Sequence, residues 1–219
     1  MHWKALKRVL VYLNTTKSRE LCIGRHVKNE ALDMVTIMVD ADHGGCLDTR
    51  RSTSGIWITM RGSSIESISK RQGSVSNSTG ASELKAMRRA VHVHKATVVE
   101  IAYREIGINL GTIKVYSDSQ VAVDMISRGH LVSATKHLAM VFAEVKEAVD
   151  AGLVSFHHVP GVANTSDLLT KPLPRVTFTK HSDVMLGDIV KKDNAQAEQK
   201  EAVGDASAVA DDEPPPSPM

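Results

Sequence analysis

The order of strand and helix patterns constrains the fold of this chain more than any other sequence feature. Three short segments rich in β-branched residues follow one another at 34–40, 55–60 and 64–69. A long helical pattern then begins at a Ser78 or Thr79 cap, and strand patterns at 112–118 and 153–159 alternate with helical ones at 119–128 and 136–151. Consecutive strands favour antiparallel pairing, whereas strands separated by helices favour parallel pairing. The sequence therefore predicts an α/β fold, with one mixed five-stranded sheet and helices on both of its faces.

The two ends of the chain differ from this central pattern. Residues 2–16 predict one helix, with apolar residues at helical spacing but no obvious partner surface. Beyond about residue 190 the sequence becomes acidic, alanine-rich and proline-terminated, which predicts disorder. We expect an N-terminal segment at 1–30, a folded domain at 31–190 and a disordered acidic tail at 191–219.

Charge is distributed unevenly along the chain. Residues 1–182 contain 24 Lys and Arg against 16 Asp and Glu, a net charge of +8, whereas residues 183–219 contain 3 against 9, a net charge of −6. A basic folded part suits an anionic partner such as nucleic acid, although moderate excess charge also serves solubility alone. No apolar run approaches the length of a membrane span, and Cys22 and Cys46 have no paired spacing. We expect an intracellular protein without membrane association.

Four carboxylates occupy comparable positions near the ends of predicted elements. Asp40 ends the first strand and Asp118 the fourth, while Glu83 is placed in the first turn of the long helix and Asp167 near the start of the last helix. Carboxylates that meet at the strand ends of an open sheet repel one another and require cations. Oxygen-only ligands favour Mg²⁺ or Mn²⁺, and two such ions about 3.5–4 Å apart can support phosphodiester hydrolysis. Taken singly, each acid fits a structural role better than a catalytic one, because it can complement a helix end or begin a turn.

A series of motifs occurs here in the order found in one protein family. The segments are VDADHGGCLDTRRSTSGIWI, SKRQGSVSNSTGASELKAM, VYSDSQVAV, TKHL and VPGVANTSDLLTKPLP. They resemble the ribonuclease H domain of copia-type (Pseudoviridae-like) long-terminal-repeat retrotransposon Pol polyproteins. HWKALKRVLVYLNTTK resembles the end of the reverse-transcriptase connection that precedes that domain, so the resemblance covers about residues 2–190.

This resemblance implies a ribonuclease H-like fold that hydrolyses the RNA strand of RNA–DNA hybrids with two Mg²⁺ or Mn²⁺ ions. The implied catalytic residues and metal ligands are Asp40, Glu83, Asp118 and Asp167. Asn164 matches the loop position that orders the last acid. The resemblance also implies that the missing polymerase domain of the same polyprotein is a partner, and that residues 1–30 are a remnant of the connection. The implied location is the cytoplasm, with a virus-like particle or the nucleus as alternatives.

Basic and polar residues near these acids are candidates for contacts with nucleic acid. Arg51, Lys70 and Arg71 could bind phosphates through charge alone. Ser76, Asn77 and Ser78 precede Glu83 and could hydrogen-bond the 2′-hydroxyls that distinguish RNA from DNA. The alternative interpretation is a solvated charged face beside a polar loop that caps a helix.

Departures from the family pattern motivate a second hypothesis. The tryptophan usual after Asp-Ala-Asp is His43 here, and the aromatic residue usual before the Ser-Lys segment is Ser67. The alternative is a catalytically inactive or domesticated ribonuclease H-like module that binds nucleic acid or a protein partner. A purely structural connection domain is disfavoured because all four acids are present. Convergence of the four carboxylates on one cleft would favour the enzyme.

Overall fold

The computed structural model describes residues 2–23, 33–96, 107, 110–131 and 138–187. The strands in these ranges are β1 (Val35–Ala41), β2 (Thr53–Met60), β3 (Ser63–Arg71), β4 (Ile113–Ser117) and β5 (Val154–His158). The α-helices are α1 (His2–Thr16), α2 (Thr79–Ala96), α3 (Gln120–Arg128), α4 (Ala139–Asp150) and α5 (Arg175–Leu186). Two short 3₁₀ helices, Gly161–Ala163 and Thr165–Leu169, lie between β5 and α5.

The five strands form one sheet in the order β3-β2-β1-β4-β5. The consecutive strands β1, β2 and β3 pair antiparallel, and β4 pairs parallel with both β1 and β5. This topology confirms the predicted mixed five-stranded sheet. In the parallel ladder Val39 lies opposite Ser117, so the next residues, Asp40 and Asp118, occupy neighbouring strand ends at the same edge of the sheet.

One face of the sheet carries the main hydrophobic core. Alternate residues of β1 (Val35, Ile37 and Val39) are buried there with side chains from α2, α3 and α4. Complete burial of each such side chain contributes roughly 1.5–3 kcal/mol. Thr36 and Met38 point to the opposite face, which α5 and the turn before it cover. Helices on both faces of the sheet are therefore confirmed.

The start of α2 and the segment after β5 test two local predictions. The Ser78 hydroxyl accepts a hydrogen bond from the Ala81 amide at 3.2 Å and so caps α2, as predicted. Asp167, in contrast, is not near the start of the last helix: it lies in a 3₁₀ helix, and α5 begins only at Arg175. Pro172 and Pro174 explain the correction, because the residue before a proline is disfavoured in helical conformation.

The N-terminal helix agrees with its prediction and makes few contacts with the domain. The Tyr12 ring meets Phe178 of α5 edge-on, with 6.1 Å between the ring centroids. Just after α1, Arg19 forms an ion pair with Asp183 and a hydrogen bond to Ser182. The predicted boundary at residue 30 and the predicted disordered tail at 191–219 lie outside the described residues. Within the described ranges, no helix is long and apolar enough to cross a membrane.

Candidate metal and nucleic-acid site

Three of the four predicted acids converge where β1 and β4 end. Asp40, Asp118 and Asp167 each offer a carboxylate oxygen, and these oxygens all lie within 4.8 Å of one another. Asp40 is buried, whereas Asp118 and Asp167 are partly exposed, so the cluster opens to solvent on one side. We call these three residues the acidic triad.

The 3₁₀ helix that carries Asp167 packs directly against β2 at Gly55, which pairs with Asp40 across the sheet. A Cβ atom on Gly55 would lie 2.7 Å from Thr170 Cγ2, 2.8 Å from the Ser166 carbonyl oxygen and 2.9 Å from Leu169 Cβ. A side chain at this position would push the turn away from the strand. Gly55 therefore allows the close approach that brings Asp167 to Asp40.

Asn164 joins the parts of the triad from beneath. Its side chain is fully buried, and its amide nitrogen donates to the Val39 carbonyl oxygen at 3.0 Å and to Asp118 Oδ1 at 3.3 Å. Its side-chain oxygen accepts from the Ser166 amide at 3.2 Å and caps the 3₁₀ helix that bears Asp167. One residue thus links the end of β1, the acid after β4 and the turn of the last acid.

Two partners of the triad were missed in the sequence. The Thr170 hydroxyl donates to Asp40 Oδ2. The Lys171 ammonium lies 2.8 Å from Asp167 Oδ1 and 3.8 Å from Asp40 Oδ2. These residues are three and four positions after Asp167, so helical spacing alone could have placed them beside it. Burial opposes charge on Lys171, but its contact with Asp167 and the neighbouring carboxylates raise its pKa above the ordinary value.

Glu83 lies beside the triad without belonging to its 4.8 Å cluster. It follows the first turn of α2, not within it as predicted, so simple complementation of the helix end does not explain it. The residue is 7% exposed, and its buried Oε2 has no hydrogen-bond partner among the described residues. Burial, followed by the charges of Asp40 and Asp118, raises the pKa of Glu83 to about 9.

The electrostatics of this edge fit a divalent cation. Burial raises the pKa of Asp40 to about 6, although the Thr170 hydrogen bond and Lys171 oppose the rise. A cation would favour the ionised forms of Asp40 and Glu83, the two acids whose pKa is raised. The unpartnered oxygen of Glu83 could serve as one of its ligands. The donors are all carboxylate oxygens, which suit Mg²⁺ or Mn²⁺. That the four acids act as metal ligands and catalytic residues stays a prediction.

The predicted nucleic-acid contacts fall into two groups. Arg51, Lys70, Arg71 and Asn77 are exposed. Ser76 is buried and donates to Gln72 Oε1 at 3.0 Å, and Ser78 caps α2, so both hydroxyls already organise the loop. Both serines thus have partners within the loop, and their contacts with 2′-hydroxyls stay a prediction.

A basic cavity of about 480 Å³ lies between β3, α2 and α4. Ser54 lines it, and Ser54 precedes the Gly55 that pairs with Asp40. Its charged or titratable lining residues are all basic: Lys70, Arg71, Lys85, Arg88, Arg89 and His92. Arg88 and His92 both contact Glu144. The buried Nε of Arg89, in contrast, has no hydrogen-bond partner among the described residues. The lining of this cavity therefore carries positive charge.

Comparisons with known proteins agree with the sequence motifs. No protein-family model matches the chain. The chain is 32% identical over 178 residues to the retrovirus-related Pol polyprotein from transposon TNT 1-94 of Nicotiana tabacum, a match that covers 81% of the chain. It is 30% identical over 187 residues to the retrovirus-related Pol polyprotein from transposon RE2 of Arabidopsis thaliana, with 83% of the chain covered. The resemblance to copia-type Pol polyproteins is thereby confirmed.

A solved structure supports the fold in the same way. The compost-derived LC11-RNase H1 matches with a TM-score of 0.50 and 19% identity, over 64% of this chain and 94% of that protein. This likeness confirms the ribonuclease H-like fold. The chain spans only 13% and 12% of the lengths of the two polyproteins.

Proposed function

We propose that this chain, which is similar over 81% of its length to a Pol polyprotein of a copia-type retrotransposon, hydrolyses the RNA strand of RNA–DNA hybrids with two divalent metal ions. The observation that carries the proposal is the acidic triad at the edge of a ribonuclease H-like sheet, with oxygens within 4.8 Å of one another. The enzyme would act as part of a reverse transcriptase and ribonuclease H polyprotein in the cytoplasm.

The triad and Glu83 would hold Mg²⁺ or Mn²⁺. When bound, such ions lower the pKa of water and stabilise charge on the reacting phosphodiester. The chain's own contribution is to fix the ligands beforehand: Asn164 holds Asp118 through its amide, and Thr170 orients Asp40 through its hydroxyl. No side-chain base is required for the attack of water on this scheme.

The basic residues beside the acids would bind the hybrid. Lys70 and Arg71 lie on β3 and line the basic cavity with Lys85 and Arg89. Phosphate contacts of this kind position a duplex without reading its bases. Lys85 Nζ donates to Ser74 Oγ and Ser76 Oγ, each at 3.0 Å, and so holds the loop before α2 against the cavity. Of the three polar candidates in that loop for a 2′-hydroxyl contact, Asn77 is the most exposed.

The N-terminal helix would contact the polymerase domain that precedes this segment in related polyproteins. Half or more of the surface of Trp3, Val9 and Leu13 is exposed, although these residues share the apolar character of a buried helix face. Such a face suits a protein partner. Residues 1–30 would then be the last part of the connection between the two domains.

The decisive experiment is cleavage of an end-labelled RNA–DNA hybrid in Mg²⁺ or Mn²⁺. We expect the protein to cut the RNA strand and Asp118→Asn to lose at least about 10³-fold in rate, because an amide cannot replace a carboxylate ligand. Asp124→Asn is the matched control, since Asp124 lies on the exposed side of α3 and hydrogen-bonds Gln120 and Arg128 of the same helix. Its rate should stay within about twofold of the wild type.

The same experiment separates the enzyme from the alternative of an inactive binding module. The position of Glu83 outside the 4.8 Å cluster is the observation that favours the alternative. A folded wild type that binds the hybrid and leaves it intact with either metal would contradict hydrolysis and support the binding module. Equal cleavage by wild type and Asp118→Asn would instead reject the triad as the site.

A further inference from the structure

A lysine ammonium already lies among the carboxylates of the triad. Lys171 Nζ is 2.8 Å from Asp167 Oδ1 and 3.8 Å from Asp40 Oδ2. No other Lys, Arg or His in the described ranges forms an ion pair with either acid. Lys171 is thus the only side-chain cation of the described residues that directly offsets the repulsion between Asp40 and Asp167.

Hydrogen bonds hold the backbone at Lys171, but its side chain can move away from the carboxylates. Its amide donates to the Asp167 carbonyl oxygen at 3.2 Å, and the preceding Thr170 is tied to Asp40 through its hydroxyl. The side chain itself is 41% exposed and reaches the acids from the solvent side. Moving the ammonium outward therefore requires rotamer changes alone and leaves the 3₁₀ helix in place.

An ammonium and a divalent ion cannot occupy this space together. Mg²⁺ takes ligand oxygens at roughly 2.0–2.1 Å in near-octahedral geometry, so an ion shared by Asp40 and Asp167 would meet the oxygens that Lys171 contacts. Two cations against the same oxygens also repel each other strongly in a partly buried site. Metal ligation through these two oxygens and the Lys171 ion pairs are mutually exclusive.

We propose that Lys171 is an exchangeable cation of the acidic triad, which holds Asp40 and Asp167 together without metal and is displaced when a divalent ion binds between them. The inference rests on the proposed function only in taking the triad as a divalent-metal site. Lys171 then sets two properties in opposite directions. It stabilises the metal-free protein, and it weakens the affinity for metal.

The test compares Mn²⁺ binding by isothermal titration calorimetry for wild type, Lys171→Met, Lys171→Arg and Lys180→Met. Lys180 is an exposed lysine of α5 whose ammonium donates to the Val162 carbonyl oxygen, so Lys180→Met controls for the loss of one positive charge. We expect Lys171→Met to bind Mn²⁺ about fivefold more tightly than wild type. In the wild type, Mn²⁺ binding must break the partly exposed ion pairs of Lys171, and this cost is absent in the variant. Lys171→Arg and Lys180→Met should stay within about twofold of wild type.

Thermal unfolding gives a second readout. With a chelator, Lys171→Met should have a lower Tm than wild type. Saturating Mn²⁺ should raise the Tm of this variant by more than it raises the Tm of the wild type. If this variant unfolds without metal, folding it in Mn²⁺ and titrating with a competing chelator gives the same affinity comparison. Equal or weaker Mn²⁺ binding by Lys171→Met would overturn the proposal. A wild type that binds Mn²⁺ without cutting hybrid would contradict only the proposed function.

Discussion

The acidic triad and Glu83 meet at the same edge of the sheet, but the protein holds them in opposite ways. Asp40 has a hydroxyl donor in Thr170 and a cation in Lys171, and its pKa is about 6. Glu83 has a buried oxygen without a partner among the described residues, and its pKa is about 9. The triad is therefore preorganised by the chain itself, whereas the ionisation of Glu83 depends on charge that arrives later.

The strongest test on the triad side is Asn164→Ala. The fully buried amide joins Val39, Asp118 and Ser166, so its loss leaves several buried polar groups unpaired. We expect the free energy of unfolding in urea to fall by about 3 kcal/mol. Asn77→Ala, in an exposed loop position, should change it by less than about 0.5 kcal/mol. Similar values for the two variants would show that the triad is not held by Asn164.

Gly55→Ala tests the packing that brings Asp167 to Asp40. The added methyl group would meet Thr170, Ser166 and Leu169 at less than 3 Å. We expect a loss of about 2 kcal/mol in the free energy of unfolding, together with weaker Mn²⁺ binding because the triad widens. Gly73→Ala is the matched control, since a Cβ there meets no atom within 4 Å. If Gly55→Ala bound Mn²⁺ with unchanged affinity, the geometry of the triad would not depend on the close packing at Gly55.

How much of this site the sequence predicts depends on the distance over which each contact is made. The neighbouring positions of Asp40 and Asp118 follow from strand periodicity and parallel order, which local patterns encode. Asp167 was one of the four acids singled out near element ends, whereas Asn164 was identified only through the motif resemblance. The structure adds the hydrogen bonds that connect Asn164 to β1 and to the acid after β4. The five-stranded sheet was predictable for the same reason as the strand ends.

Other parts of the site required the folded structure. The role of Gly55 depends on a turn more than 100 residues later in the chain, and no local pattern reports that approach. The exclusion of Glu83 from the 4.8 Å cluster depends on how α2 sits against the sheet. The polar loop made Ser76 a candidate for contact with nucleic acid, but its hydroxyl is buried and hydrogen-bonds Gln72 and Lys85.

Glu83→Gln tests the other side of the comparison. Because the pKa of Glu83 rises from 4.5 to about 9 on folding, the folded state keeps a proton that the unfolded state loses. Metal-free stability should therefore fall as pH rises from about 5 to about 9, and Glu83→Gln should flatten this fall. Asp40 adds a loss of the same sign between about pH 4 and 6, which the variant retains.

Thermal unfolding with a chelator at pH 8 measures the effect of Glu83→Gln. The Tm should rise by at least about 3 °C, equivalent to roughly 1 kcal/mol for a protein of this size. Hybrid cleavage should fall in the same variant, because Gln cannot supply an ionised ligand. Glu66→Gln, on the partly exposed strand β3, should leave the Tm unchanged. A Tm below the wild-type value would mean that Glu83 is ionised in the metal-free protein.

The smallest effect is expected from Thr170→Val, which removes a neutral hydrogen-bond donor to Asp40 while keeping the shape of the side chain. Since this hydrogen bond lowers the pKa of Asp40, its loss should raise that pKa further above 6. One hydrogen bond of about 1 kcal/mol corresponds to less than about one pH unit. Metal ligation requires the ionised carboxylate, so the pH midpoint of Mn²⁺ binding should move upward by the same amount.

Thr112→Val is the control for this last change, because Thr112 donates to the Gly152 carbonyl oxygen and lies just before β4, at the strand end opposite to Asp118. Its pH midpoint should match that of the wild type. An unchanged midpoint in Thr170→Val would mean that Lys171 alone keeps Asp40 ionised. Two results together would show that metal affinity resides in the preorganised triad: the pH midpoint of Thr170→Val shifts, and Glu83→Gln binds Mn²⁺ with the wild-type affinity. Glu83 would then be needed only once the metal is bound.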